Sequence, residues 1–263
     1  MKAHGKINLA LVVGPTRPDG KHEVTTVLQR LQLADEVTLE HSDALEVHGF
    51  EADTIVRRAL DLLAEAAGVA PGWAVHIAKE VPVAAGLGGG SSDAAAALRL
   101  ANQTLDERLS EEALHTIAAA VGADVPFFLT EGPQLGEGDG TELTPVGLPQ
   151  DYTVLILLPD GEAKHSTAAV YDAFDARNGA AGYEQRRAGL LAALDAGDLR
   201  GLPRNDLASS PLAADLDRFG ALRADVSGAG PAVYALFDDP ERAVGARAQF
   251  EAQGRVWVGS PAW

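Results

Sequence analysis

The pattern of apolar and polar positions makes Ile7–Val13, Val24–Leu33, Glu36–His41 and Ala44–His48 strand-like. The period then changes. From Asp53 to Ala67, residues Ile55, Ala59, Leu62, Leu63 and Ala66 share one face of an amphipathic helix that stops at Gly68. Trp73, Val75 and Ile77 alternate with Ala74, His76 and Ala78, predicting a half-buried strand within Trp73–Val81. Asp93–Asn102 is strongly helix-forming, with Ser91, Ser92 and Asp93 as candidate N-caps, and Ser110 caps a further helix, Glu111–Val121, ended by Gly122. Short strands are expected in the Gly/Pro-punctuated stretch Gly132–Pro149, and Tyr152–Pro159 reads as a buried strand. Helices follow at Ser166–Arg177, Tyr183–Ala196 and around Leu212–Phe219. The chain ends as strand, glycine turn and strand through Ala224–Phe237, a helix at Glu241–Gln253 and a strand at Arg255–Val258. Helices mixed with antiparallel hairpins predict an α+β chain of two domains, 1–150 and 151–263.

Composition narrows the function classes. The 263 residues are 46% hydrophobic, enough for sizeable cores, and the longest apolar runs, such as Val154–Leu158, are far shorter than a bilayer span. The N-terminal segment lacks a signal-peptide layout, since Lys6 and Asn8 interrupt it, so a cytoplasmic location is expected. With no cysteine there is no thiolate chemistry and no disulfide. The net charge of −17 argues against nucleic-acid and anionic-membrane partners, leaving a small-molecule substrate. Oligomeric state and metal ligands are not legible.

The chemistry concentrates in Pro82–Leu98, PVAAGLGGGSSDAAAAL, where four glycines fall within Gly86–Gly90. A glycine loop between a strand and a helix start aims unpaired N–H groups and a helix dipole at one point, which suits a phosphate. In so acidic a chain, placed cations and a divalent metal must overcome the background repulsion. Familiar sites fail: the Gly-Lys pairs continue as Ile7 and His22, so there is no Walker loop. Val75–Lys79 imitates the protein-kinase strand lysine, but the glycine loop follows it instead of preceding it. A dinucleotide fingerprint has Ser91 where its third glycine or alanine belongs, and the histidines at 4, 22, 41, 48, 76, 115 and 165 form no close ligand pair.

Phosphoryl transfer with an unusual loop remains. The segment PVAAGLGGGSSDAA resembles the phosphate-loop signature of the GHMP family of small-molecule kinases. His4–Val13 (HGKINLALVV), Arg17–Val37, Gly122–Leu129 (GADVPFFL), Arg204–Leu207 (RNDL) and Ser227–Phe237 (SGAGPAVYALF) extend the likeness, in the family's order, across nearly the whole chain. The resemblance implies an N-terminal half like domain 2 of ribosomal protein S5, a ferredoxin-like C-terminal half and a cleft site between them. It also implies transfer of the ATP γ-phosphoryl, with Mg²⁺, to the 2-hydroxyl of a cytidyl-diphosphate-linked methylerythritol in non-mevalonate isoprenoid synthesis. In this reading Pro82, Val83, Ala84, Ala85, Gly86, Leu87, Gly88, Gly89, Gly90, Ser91 and Ser92 hold ATP, and Lys6 and Asp124 are catalytic. Asn8, Lys21, His22, Gly228, Ala229 and Gly230 line the substrate side. One departure is Lys21, where the family usually carries an aromatic residue that stacks on cytosine; Tyr171 or Phe174 is the expected substitute. The rival readings are another GHMP kinase acting on mevalonate, homoserine or a sugar, a dinucleotide-binding oxidoreductase, and a nucleotide sensor without turnover.

Overall fold

A computed structural model describes residues 1–50, 54–161 and 166–263. They form two compact units that interleave in sequence: Met1–Gly5, Leu33–Val83 and Gly88–Glu131 make the first, and Lys6–Gln32, Ala84–Leu87 and Gly132–Trp263 the second. The long strands β1 (Lys2–Thr16) and β2 (His22–His41) contribute to both.

In the first unit the Glu36–His41 end of β2 pairs antiparallel with β4 (Trp73–Ala78), which pairs parallel with β3 (Glu46–His48). Helices α1 (Ile55–Ala67), α2 (Gly89–Thr104) and α3 (Glu111–Val121) pack together, and a 3-10 turn, Pro126–Leu129, follows. The alanines of α2 explain its fit: Ala94, Ala95, Ala96, Ala97 and Ala101 are all buried, and such small side chains let α1 approach closely. Gly68, left-handed at φ 67, closes α1, and the Ser110 hydroxyl accepts the Ala113 N–H to start α3.

In the second unit β1 pairs with β2, whose Thr26–Leu28 stretch pairs with β5 (Gln134–Glu137), itself paired with β6 (Glu142–Pro145). A separate antiparallel sheet holds β7 (Thr153–Pro159), β8 (Arg223–Val226), β9 (Val233–Phe237) and β10 (Gly254–Gly259) in the order β10-β7-β9-β8. Numbered within that sheet the order is 4-1-3-2, the ferredoxin-like arrangement. Helices α4 (Thr167–Ala176) and α5 (Tyr183–Asp195) precede α6 (Pro211–Arg218) and α7 (Pro240–Phe250). Leu216 of α6 and Ala243, Ala246 and Phe250 of α7 share a core with Leu155, Leu157, Val233 and Phe237 of the sheet. The short β11 (Pro261–Ala262) pairs with β2 at Leu31 and Arg30.

Three expectations change. The two strands expected across Val24–His41 are one, because Asp35 makes no turn: its Oδ1 accepts the N–H groups of Glu80 and Val81 at 2.6 and 2.8 Å. Helix α2 begins four residues before Asp93, so Ser91, Ser92 and Asp93 lie inside its first turns and none is the N-cap. The C-terminal helix ends at Phe250, and Glu251–Gln253 is a separate 3-10 turn. Asp53 and His165 lie outside the described residues.

Candidate active site

The glycine loop leaves β4, runs through Pro82 (buried) and Val83 (exposed), and passes Ala84, Gly86 and Gly88 at φ 61, 83 and 69. Three left-handed residues at alternate positions fold the chain tightly, and Ala84 adopts a conformation that glycine would take more easily. Gly88 is the N-cap of α2 and, among the described residues, no side chain caps the helix, so the amides of Gly89, Gly90 and Ser91 carry the positive end of its dipole. Ser91 is half-buried and Ser92 buried, while Ala85 and Leu87 point inward as anchors.

The bareness of Gly86 has a local cause. A Cβ there would lie 2.2 Å from the Ser227 carbonyl oxygen, so the first glycine segment rests on the second. Two further bonds fix the contact: Ser227 Oγ donates to the Gly86 carbonyl at 2.9 Å, and the Ala232 N–H donates to the Ala85 carbonyl at 3.0 Å. Gly228 and Gly230 are left-handed at φ 57 and 74, with Ala229 half-buried between them, and the Gly230–Pro231 peptide is cis.

Lys6 and Asn8, two apart on β1, project from the same strand face. Both are buried, and Lys6 Nζ donates to Asn8 Oδ1 at 2.6 Å. Asn8 Nδ2 in turn donates to Thr26 Oγ1 at 2.8 Å, and its backbone N–H reaches Ser227 Oγ at 3.3 Å. The Lys6 N–H donates to the Leu87 carbonyl at 2.8 Å. A Cβ on Gly228 would stand 3.4 Å from Asn8 Oδ1 and 3.6 Å from Lys6 Nζ, so the second glycine turn lies directly against this pair. Asp124 is half-buried in the turn between α3 and Pro126, within the first unit.

His22 starts β2 with its Nε2 2.8 Å from Asp175 Oδ1 and its ring 4.8 Å from that of Tyr171 at 32°. Phe174 meets the imidazole edge-on at 5.9 Å but is otherwise committed to the core with Leu11, Val13 and Val24. Of the two expected substitutes for the missing aromatic, half-buried Tyr171 is therefore the one with ring surface to offer. Lys21 points elsewhere, with its Nζ 2.5 Å from Asp139 Oδ2. Burial alone would raise the Asp139 carboxyl, but hydrogen bonds from Lys21 and Thr141 hold it below the usual carboxylate range.

A second lysine, half-buried, lies in the first unit. Lys79 Nζ sits 2.5 Å from Asp35 Oδ2 and 2.7 Å from Asp93 Oδ2, both carboxylates being fully buried. Burial opposes the ammonium charge, yet the hydrogen bonds from these two acids raise its pKa. Asp93 is pushed up to about 7, chiefly by burial, with Lys79 opposing and Asp35 adding to the shift. Its Oδ1 is buried with no hydrogen-bond partner among the described residues. Among those residues, too, no group of three or more metal-ligating side chains is placed to hold a metal ion, and no helix is long and apolar enough to cross a membrane.

Comparison with known proteins decides the family. Residues 54–132 match the GHMP kinases N terminal domain and residues 190–256 the GHMP kinases C terminal domain. A 4-diphosphocytidyl-2-C-methyl-D-erythritol kinase of Kineococcus radiotolerans is 38% identical over 269 residues, covering 92% of this chain and 82% of that one. The chain belongs to the GHMP kinase family. A protein of the same name from Pelobacter propionicus is 36% identical, covering 100% of this kinase and 97% of its own chain. A crystal structure of a 4-(cytidine 5'-diphospho)-2C-methyl-D-erythritol kinase superposes on this kinase with a TM-score of 0.81 at 29% identity, covering 100% and 99% of the two chains.

Within the second unit of the kinase, Lys6, Asn8, Gly86, Leu87 and the Gly228–Gly230 turn come together, and His22 meets Tyr171. Pro82, Val83, Gly88, Gly89, Gly90, Ser91, Ser92 and Asp124 belong to the first unit. Sequence reasoning missed the Asp35–Lys79–Asp93 cluster. The one available signal for the cluster was two aspartates set in otherwise apolar runs.

Proposed function

We propose that this kinase transfers the γ-phosphoryl of ATP to the 2-hydroxyl of 4-diphosphocytidyl-2-C-methyl-D-erythritol, a step of the non-mevalonate isoprenoid pathway. The reading is carried by the end-to-end similarity to relatives bearing that name, at 36–38% identity over 92–100% of this chain. The uncapped α2 terminus behind three left-handed residues supports it, because backbone N–H groups there can meet the triphosphate. ATP enters as its magnesium complex. Mg²⁺ keeps most of its waters and takes one or two protein ligands, and the half-buried Ser91 hydroxyl in the first turn of α2 is the candidate ligand.

Phosphoryl transfer asks for positioning and charge more than covalent chemistry. Asp124 is the proposed acceptor of the substrate hydroxyl proton, and Lys6, steadied by Asn8, the cation that stabilises the alkoxide and the moving phosphoryl oxygens. His22, oriented by Asp175, reads the cytosine edge while the Tyr171 ring stacks, which replaces the aromatic expected at Lys21. Gly228, Ala229 and Gly230 line the acceptor side. Residues 1–150 and 151–263 are the proposed ATP-binding and C-terminal halves of the function, and the cytoplasm its place.

ADP release with the cytidyl substrate, mevalonate and homoserine tests the reading. We expect a preference of at least about 100-fold in kcat/KM for the cytidyl alcohol, the discrimination that a site built on polar contacts can reach. Equal or better turnover of mevalonate or homoserine would overturn it.

A further inference from the structure

We propose that Asn205 is a positioning residue for phosphoryl transfer, acting through the second glycine turn; the inference rests on the reading above. Asn205 lies in the loop between α5 and α6, and every hydrogen-bonding valence of its side chain is directed at main chain. Nδ2 donates to the carbonyls of Val226 and Gly228 at 2.9 and 2.7 Å. Oδ1 accepts the N–H groups of Leu207 and Ala208 at 2.8 and 3.4 Å. Its own N–H donates to Asp225 Oδ2 at 2.9 Å. An amide is the only common side chain that presents two donors and an acceptor at this length, so the site selects asparagine by chemistry as well as size.

What the clamp holds gives it functional weight. Between the two carbonyls that Asn205 grips lies Ser227, whose hydroxyl bridges the Asn8 N–H and the Gly86 carbonyl. Gly228 itself faces Asn8 Oδ1 and Lys6 Nζ. The next residue ties the same loop to β1: the Asp206 N–H donates to the Leu11 carbonyl at 2.9 Å, and Asp206 Oδ2 accepts the Val13 N–H at 2.8 Å and Arg186 Nε at 3.0 Å. The loop is in turn strapped to β8. Buried Arg223 donates to the Leu202 and Pro203 carbonyls at 2.5 and 2.6 Å, and to the Tyr234 hydroxyl, which donates to the Leu9 carbonyl at 3.0 Å. Two adjacent residues thus fix β1, which carries Lys6 and Asn8, against the turn on which Ala85 and Gly86 rest. A displacement of about an ångström in such a constellation costs catalysis far more than it costs folding.

Asn205→Asp keeps the shape and the acceptor half but sets an oxygen against two carbonyls; Asn205→Ala removes both halves, and Gly228→Ala disturbs the same turn from its other side. Three quantities are read on the full-length protein: kcat, Tm and amide hydrogen exchange over 84–87 and 226–232. We expect both Asn205 variants to lose about 20-fold or more in kcat while remaining folded at the assay temperature, with faster exchange in both segments. Asn205→Asp should recover activity as the pH falls from 8 toward 5.5, when a protonated carboxyl can donate to one carbonyl, and Asn205→Ala should not. Gly228→Ala should share the kcat loss with a native Asn205 in place. A kcat within twofold of the wild type, a loss matched by the unfolded fraction, or a loss without faster exchange would each overturn the inference. Should the wild type turn over no acceptor, the functional reading fails, and unchanged exchange would then sink the clamp separately.

Discussion

Lys6, on β1, is buried and Lys79, just past the end of β4, is half-buried, and they donate to groups that differ in kind: Lys6 to a neutral amide, Lys79 to two carboxylates. Lys79 lies between two fully buried carboxylates, 2.5 and 2.7 Å away. Lys6 donates to the amide oxygen of Asn8 and lies beside a glycine turn where even a Cβ would come within 3.6 Å of it. The first ammonium is consumed as a cross-link: Asp35 ties it to the start of the glycine loop through the Glu80 and Val81 amides, and Asp93 ties it to α2. Lys6 donates instead to a neutral amide, which fixes the direction of its Nζ. Two carboxylate contacts within 2.7 Å mark Lys79 as a structural cross-link.

Lys79→Met presses hardest on that contrast. It leaves two carboxylates buried around an apolar side chain, and we expect a loss of about 3–5 kcal/mol of stability in denaturant unfolding, the usual consequence of breaking a buried pair. A loss under about 1 kcal/mol would show that Lys79 is no cross-link.

Asp93→Asn makes a smaller and pH-dependent change. An aspartate in the unfolded chain titrates near 4, whereas folded Asp93 is raised to about 7, so between those values the folded state holds more protons. Wild-type stability should therefore carry a falling component as the pH rises through this window, and none from Asp93 above it. The substituted amide cannot ionise, so the variant should gain on the wild type from pH 4 to 8, by at most about 4 kcal/mol, the free energy of the full rise in pKa to about 7. Melting temperatures across that range check it, and a difference that stays flat would contradict the assignment of the proton to Asp93.

Much of the fold was legible because local signals agreed with packing. Ser110 and Gly68 bound their helices as expected, and the apolar run at Tyr152–Pro159 is a central strand. The start of α2 was misplaced because glycine is a poor helix former, yet Gly89 and Gly90 build its first turn. In the candidate site the glycine cluster did signal a close approach, but part of what approaches Gly86 is the Ser227 carbonyl of the second turn. The cluster of residues 35, 79 and 93 joins three elements distant in sequence, and Lys79 in sequence only imitates the protein-kinase strand lysine. Asn205 was visible within the RNDL block, but its partners at 226 and 228 are backbone atoms, which no side-chain pattern announces.

Under the proposed function the glycine loop holds ATP while Lys6 and Asp124 act on the acceptor hydroxyl, and ADP release measured beside equilibrium ATP binding for Lys6→Ala and Asp124→Asn tests that proposal. The account predicts that turnover falls about 100-fold or more in each, while the ATP dissociation constant stays within about threefold of the wild type. Turnover near the wild-type rate in either variant would contradict it.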